Sequence, residues 1–82
     1  MGPYIITTDE ATSISLNLEN KESQDMIVCM EPWGTEYPLP MGAVLVVGVK
    51  QLAEGLHLTF SPGRVTIWAE DYRIPQFESD PT

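Results

Sequence analysis

The sequence has few basic residues, one cysteine, one histidine and no long apolar run. Four Lys and Arg residues stand against twelve Asp and Glu residues, so the formal net charge is −8 at pH 7. Such a surface repels a phosphate backbone wherever it is not locally basic. The longest apolar run, Met41–Val49, includes two glycines and falls far short of the roughly 20 residues that a membrane-spanning helix needs. We expect no nucleic-acid partner and no membrane span.

The single cysteine, Cys29, excludes an intrachain disulfide. Because small secreted domains usually depend on disulfides, we expect a reducing compartment, the cytoplasm. With His57 as the only histidine, a zinc site would need two or more carboxylates from elsewhere, and the acidic residues do not follow the pattern of a calcium loop. The sequence therefore predicts no metal and no cofactor.

The length of 82 residues fits one domain. We assign residues 1–77 to a single β-domain and expect residues 78–82 to form a disordered tail. An apolar fraction of 43% against 20% charged residues indicates a chain that folds. A domain of this size buries only roughly 60% of its unfolded surface, so we expect a homo-oligomer that completes the core or covers a sheet edge.

Apolar residues recur with a period of two, which predicts β-strands. The run Ala11–Leu18 alternates apolar and polar residues and predicts a half-buried strand, and Tyr4–Thr8 a further edge strand. Met26–Met30 and Ala43–Lys50 are apolar at nearly every position, which predicts two central strands covered on both faces. Gly48 marks a candidate bulge in the second of these.

The strands Leu56–Phe60 and Val65–Glu70 flank the turn signal Ser61-Pro62-Gly63-Arg64 and predict a hairpin. Proline cannot adopt the positive φ of the tightest hairpin turns, so we expect a four-residue loop. Residues 51–55 hold at most one helical turn. Together these features predict an all-β fold, a small antiparallel β-sandwich or partly open barrel of five to six short strands.

The segment Glu31–Gly42 contains three prolines, which exclude a helix and a central strand and leave an ordered loop or edge segment. Ordered loops on a rigid sheet often carry binding sites. Two aromatic surfaces and two carboxylates in this segment suit a sugar, a basic peptide or a cationic ligand. The alternative is that Trp33 caps one end of the sandwich and Tyr37 packs beside it. The candidate ligand or partner residues are Glu31, Trp33, Glu36 and Tyr37.

The same region resembles a group of small uncharacterised bacterial proteins, in which an apolar strand is followed by Glu-Pro-Trp-Gly, a Tyr-x-Leu-x-Pro-Gly-like stretch and a valine-rich strand. The matching residues are Glu31, Pro32, Trp33, Gly34, Tyr37, Leu39, Pro40 and Gly42, with Met41 inserted before the last glycine. The match covers about a quarter of the chain. The resemblance implies a compact all-β domain and assigns no catalytic residue.

Three further residues have candidate roles. His57 and Trp68 fall on the polar faces of their strands, and the hairpin places both on one side of the sheet. An exposed tryptophan there is either paired across strands or buried by a second chain, and we favour the interface. Cys29 lies among apolar residues and is expected to fill the core with low thiol reactivity.

These observations favour a non-enzymatic interaction or self-assembly module that uses a sheet edge or an exposed aromatic face. The alternative is a ligand-binding module, with a carbohydrate or small polar ligand at Glu31–Gly42. A basic protein partner for the acidic surface is a third hypothesis. An enzyme is not expected, because the sequence nominates no nucleophile beside its one histidine.

Overall fold

Two β-sheets enclose one hydrophobic core, the arrangement of a β-sandwich. A computed structural model describes residues 13–78. In chain order the strands are β1 (Ser13–Glu19), β2 (Met26–Glu31), β3 (Thr35–Leu39), β4 (Val44–Lys50), β5 (His57–Ser61), β6 (Arg64–Trp68), β7 (Asp71–Tyr72) and β8 (Gln76–Phe77). The described chain contains no helix that is long and apolar enough to cross a membrane. The strand predicted at Tyr4–Thr8 and the tail residues 79–82 lie outside the described residues.

The sheets confirm the all-β class and both predicted central strands. In sheet A, β4 pairs with β1 on one side and with the two-residue strands β7 and β8 on the other. In sheet B the order is β3-β2-β6-β5, so β2 is central and β5 is an edge. Six strands have five to seven residues each and two have two residues, so the described residues form eight strands where five to six were expected.

The core is built from alternate residues of both sheets, as a period of two requires. Strands β2, β4 and β6 contribute most of it. The buried core residues are Val28, Met30, Leu39, Leu45, Val47, Val49, Val65, Ile67 and Ala69. On β4 the alternate residues Val44 and Val46 are only half-buried, so the expectation that this strand is covered on both faces is wrong.

One strand pair departs from the antiparallel expectation. Strands β2 and β6 run parallel, with Val28 opposite Val65 and Met30 opposite Ile67. The chain passes from sheet B into sheet A at β4 and returns at β5, and β6 then reaches β2 in the same direction. Backbone bonds beyond the ladder, including Ile27 N–H to Gly63 O at 2.9 Å, extend this pairing.

The proline-rich segment contains an edge strand as well as a turn. Among the described strands, β3 pairs only with β2, and its Pro38 lies opposite Ile27. An edge strand tolerates proline because one side of its backbone has no ladder partner. The turn before it closes with Gly34 N–H bonded to Met30 O at 2.8 Å, and the Glu31–Pro32 peptide bond is cis.

The β5–β6 turn is shorter than expected. Ser61 pairs directly with Arg64, so the loop has two residues and not four. Gly63 has φ of +73°, and a turn with proline at its second position and positive φ only at its third is of type II. The prediction was wrong because the positive φ falls on glycine and not on proline.

Leu52 and Gly55 form an isolated β-bridge around a turn, which is within the limit of one helical turn expected for residues 51–55. Two smaller predictions are corrected. The β1–β4 register runs through Gly48 without a bulge, since Ser15 lies opposite it. Glu78 was assigned to a disordered tail, but its N–H bonds to Val44 O at 2.9 Å and continues the β8 pairing.

Asn20 joins the connections at one end of the sandwich. It is completely buried, and its Nδ2 donates to Gln24 O at 2.8 Å and to Leu39 O at 2.9 Å. Its Oδ1 accepts the Glu22 N–H at 2.8 Å. The β1–β2 and β3–β4 connections are therefore held by one amide side chain whose polar atoms are all bonded.

Candidate functional site

The structure divides the four residues predicted at Glu31–Gly42 into two groups. Trp33 and Tyr37 both contact Tyr72 of β7. The Trp33 and Tyr72 ring centroids are 4.9 Å apart with an interplanar angle of 60°, and those of Tyr37 and Tyr72 are 6.2 Å apart at 80°. Both are edge-to-face arrangements, which stabilise aromatic pairs. We call Trp33, Tyr37 and Tyr72 the aromatic cluster.

Within the aromatic cluster the two tyrosine hydroxyls are 2.8 Å apart and form a hydrogen bond. This bond, together with burial, raises the pKa of the Tyr37 hydroxyl, so Tyr37 stays neutral. Tyr37 and Tyr72 also pack against the core. The cluster thus joins the β3 edge of sheet B to β7 of sheet A, while Trp33 as a residue stays 44% exposed.

Glu31 and Glu36 lie on the opposite, outer face of sheet B. Glu36 forms an ion pair with Arg64 at 2.8 Å. Glu31 accepts a hydrogen bond from the Cys29 thiol at 3.5 Å. Because neither carboxylate faces the aromatic cluster, the described structure does not bring the predicted set together into one pocket.

Cys29 is buried, as predicted, but it lies outside the shared core. Its strand neighbours Val28 and Met30 belong to the core cluster, so the alternation of β2 directs Cys29 to the outer face. Burial raises the pKa of the Cys29 thiol, and the hydrogen bond to Glu31 and the charge of that carboxylate raise it further. A thiol held in its protonated form is a poor nucleophile.

Cys29 should therefore react slowly with iodoacetamide. The pH at which its alkylation rate is half-maximal should be higher in the folded chain than in the urea-unfolded chain. The folded chain keeps the thiol proton to higher pH. The contribution of the protonated thiol to the free energy of unfolding is therefore complete below the thiol pKa of the unfolded chain, and it is lost as the pH rises through the thiol pKa of the folded chain. Glu31→Gln removes the carboxylate charge and should move the alkylation midpoint to lower pH. Equal midpoints for the folded and unfolded chains would contradict the assignment.

The other two predicted residues, His57 and Trp68, are cross-strand partners on β5 and β6. Their ring centroids are 6.0 Å apart at an interplanar angle of 32°. The prediction that they share one face is confirmed, and the tryptophan is paired across strands while remaining 37% exposed. Its burial by a second chain stays a prediction.

Strand β5 also exposes a residue of its apolar face, the face opposite His57. Phe60 lies opposite the buried Val65 and shares its side of the sheet, yet the phenylalanine is 75% exposed. Leu58, two residues earlier, packs against the core. Sheet A therefore does not cover β5 as far as Phe60, which leaves an aromatic ring beside an unpaired strand.

The backbone of β5 is an unprotected edge. Within the described residues this strand pairs only with β6, and it contains no proline, lysine or acidic residue. Edge strands of soluble monomers are usually blunted by such residues. The opposite edge of sheet B, β3, has Pro38 and the Glu36–Arg64 ion pair. We call β5 with Leu58 and Phe60 the β5 edge.

Comparison of the chain with protein-family models, curated proteins and solved structures found no match. The resemblance to small bacterial all-β proteins therefore stays a prediction. No group of three or more His, Cys, Asp or Glu side chains suited to a metal ion occurs between residues 13 and 78.

Two contributors to these surfaces were missed by the sequence reasoning. Tyr72 carried no signal, because its partners Trp33 and Tyr37 are far away in the chain and meet it only across the sandwich. The exposure of Phe60 was missed because its place in the apolar alternation of the strand indicates burial. Phe60 stands at the end of its strand, next to the Ser61–Arg64 turn, where the alternation continues but the covering sheet does not.

Proposed function

We propose that the chain is a non-enzymatic self-assembly module that pairs with a second copy through the β5 edge. An antiparallel pair of β5 strands is related by a two-fold axis, so the same residues meet on both sides. Pairing would satisfy the open backbone groups and cover Phe60 with its counterpart. The single observation that carries the proposal is a proline-free, charge-poor edge strand beside a phenylalanine that is 75% exposed.

Charge supports the same surface. Two copies of a chain with a net charge of −8 repel one another over most approaches. The stretch 55–69, which includes the β5–β6 hairpin, has no acidic residue and contains Arg64 and His57. Like-charge repulsion is therefore smallest where the open edge lies. His57 and Trp68, beside the edge on the outer face, extend the proposed interface.

The geometry favours assembly over ligand binding at Glu31–Gly42. Trp33 and Tyr37 are engaged by Tyr72, and the two carboxylates lie on another face of the sheet. A sugar site would need an aromatic face and hydrogen-bonding groups on the same side.

The proposal includes a reducing compartment, the cytoplasm, because the one cysteine is a free thiol.

Sedimentation equilibrium over a wide range of protein concentration tests the proposal. The wild-type chain should form a dimer, and Phe60→Glu should raise its dissociation constant by about tenfold or more, because the added carboxylates would face each other across the two-fold axis. Phe60 is mostly exposed, so the substitution should leave the fold intact, which far-ultraviolet circular dichroism would check.

The matched control is Ile74→Glu, which adds the same charge at a residue 78% exposed and outside β5. This variant should dimerise like the wild type. A wild-type chain that remains monomeric at every concentration would contradict the proposal. So would an equal loss of dimer in both variants, because the effect would then arise from net charge and not from the β5 edge.

A further inference from the structure

The outer face of sheet A carries a groove of about 650 Å³ between β1 and the residues around β7 and β8. Gly48 of β4 lies in its floor, with Val46 and Lys50 on either side along the same face. The absence of a side chain at Gly48 deepens the sheet surface at this point. The groove lies on the opposite sheet from the β5 edge, so it is independent of the proposed assembly.

Arg73 occupies the space over Gly48. Its aliphatic carbons lie 3.7–3.9 Å from the position that a Cβ on Gly48 would take, which is ordinary van der Waals contact. The Arg73 N–H also donates to Gly48 O at 2.8 Å. The base and stem of this side chain therefore lie on the sheet, and Arg73 is one of the residues that line the groove.

The guanidinium of Arg73 differs from the cationic groups of Lys50 and Arg64 because it forms no ion pair with any described residue. Lys50 pairs with Glu70 at 3.5 Å, and Arg64 pairs with Glu36 at 2.8 Å. Asp71 lines the same groove, but its Oδ1 accepts the Tyr72 N–H at 2.8 Å. An arginine presents a planar set of donors that matches a carboxylate.

The remaining lining has both polar and apolar parts. Hydroxyl groups of Ser13 and Ser15 come from β1, and an apolar surface comes from Val46 and the exposed Ile74. Among the described residues, two cations line the groove, and Lys50 is already paired with Glu70. Arg73 beside an apolar wall suits an organic anion with an apolar body. The nearby Asp71 carboxylate and the net charge of −8 disfavour a multiply charged ligand such as phosphate.

We propose that this groove binds a small organic monocarboxylate, with the carboxylate on Arg73 and the apolar body against Val46 and Ile74. The binding is non-covalent. Gly48 serves it by letting the arginine stem lie flat on the sheet, because a side chain larger than that of alanine at this position would displace the stem.

Titration of the ¹⁵N-labelled chain with hexanoate, followed by amide chemical shifts, tests the proposal. The amide chemical-shift changes should concentrate on β4 and residues 71–76. Hexanamide, which has the same length without the charge, should bind at least about tenfold more weakly than hexanoate. Arg73→Gln should weaken hexanoate binding by a similar factor. Arg64→Gln, which removes an arginine from the other sheet, should leave it unchanged.

Asp71→Asn should change the affinity for hexanoate in the opposite direction to Arg73→Gln. It removes the one acidic side chain among the described residues that line the groove, and it should tighten hexanoate binding by a few-fold. Thermal unfolding of each variant confirms that the fold is kept. The proposal is overturned if hexanoate causes no localised shifts, if Arg73→Gln binds like the wild type, or if phosphate produces the same shifts with equal affinity.

Discussion

Replacement of Asn20 with alanine is expected to lower the free energy of unfolding by about 3 kcal/mol. The Asn20 amide donates to Gln24 O and Leu39 O and accepts from Glu22 N–H. Alanine removes all three bonds in a site with no exposed surface, so the buried carbonyl of Leu39 loses this donor. Urea denaturation measures the change.

Two variants separate hydrogen bonding from volume at this site. Asn20→Asp keeps the size and one acceptor but replaces the donating Nδ2 with an oxygen that faces two carbonyls, so it should destabilise the fold at least as much as alanine. Asn17→Ala removes the same side chain from an exposed position of β1 and should change stability by less than about 0.5 kcal/mol. A tolerated Asn20→Asp would show that Asn20 serves only to fill space.

Replacement of Met30 with alanine is expected to cost about 3 kcal/mol and to lower Tm by roughly 15 °C. Met30 has no exposed surface and lies opposite Ile67 in the parallel β2–β6 pair, at the centre of the shared core. The truncation leaves a cavity between the two sheets, and the neighbouring strands cannot close it without breaking register. Thermal unfolding followed by circular dichroism checks the result.

Met41→Ala is the matched control for this cavity. Met41 is 59% exposed in the β3–β4 connection, so the same truncation there should change stability by less than about 0.5 kcal/mol. Comparable losses in the two variants would mean that the core does not centre on Met30. Phe60→Glu and Arg73→Gln, which act on exposed surfaces, should lower the free energy of unfolding less than Asn20→Ala or Met30→Ala does.

Much of the fold could be predicted because its signals are local. The alternation of β1 and β6 fixed which residues face the core, and the apolar runs of β2 and β4 identified the two central strands. Proline positions excluded a central strand at β3, and the structure confirms an edge there. Each of these properties depends on neighbours within a few residues of the same chain segment.

The remaining features depend on contacts between distant segments. The parallel direction of β6 against β2 follows from the path of the chain through both sheets, which local periodicity does not encode. Asn20 stands in a polar run that resembles any solvated loop, and its burial arises only when Leu39 and Ala43 arrive beside it. The aromatic cluster likewise needs Tyr72 from the second sheet.

The candidate site was predicted in part. The sequence identified His57 and Trp68 as partners on one face because hairpin register can be counted from the turn. It could not foresee that sheet A stops short of Phe60, since the width of one sheet relative to another is a property of the whole sandwich. The Arg73 groove had no signal beyond Gly48, which the sequence marked for a bulge.

The parallel β2–β6 pair has a consequence for biosynthesis. As the chain leaves the ribosome, β2 emerges before its neighbour β6, which is not made until residues 64–68 follow. The nascent chain therefore cannot complete sheet B strand by strand, and cooperative folding of this sheet must wait until β6 has emerged. Non-local pairing of this kind slows folding to the range of milliseconds to seconds.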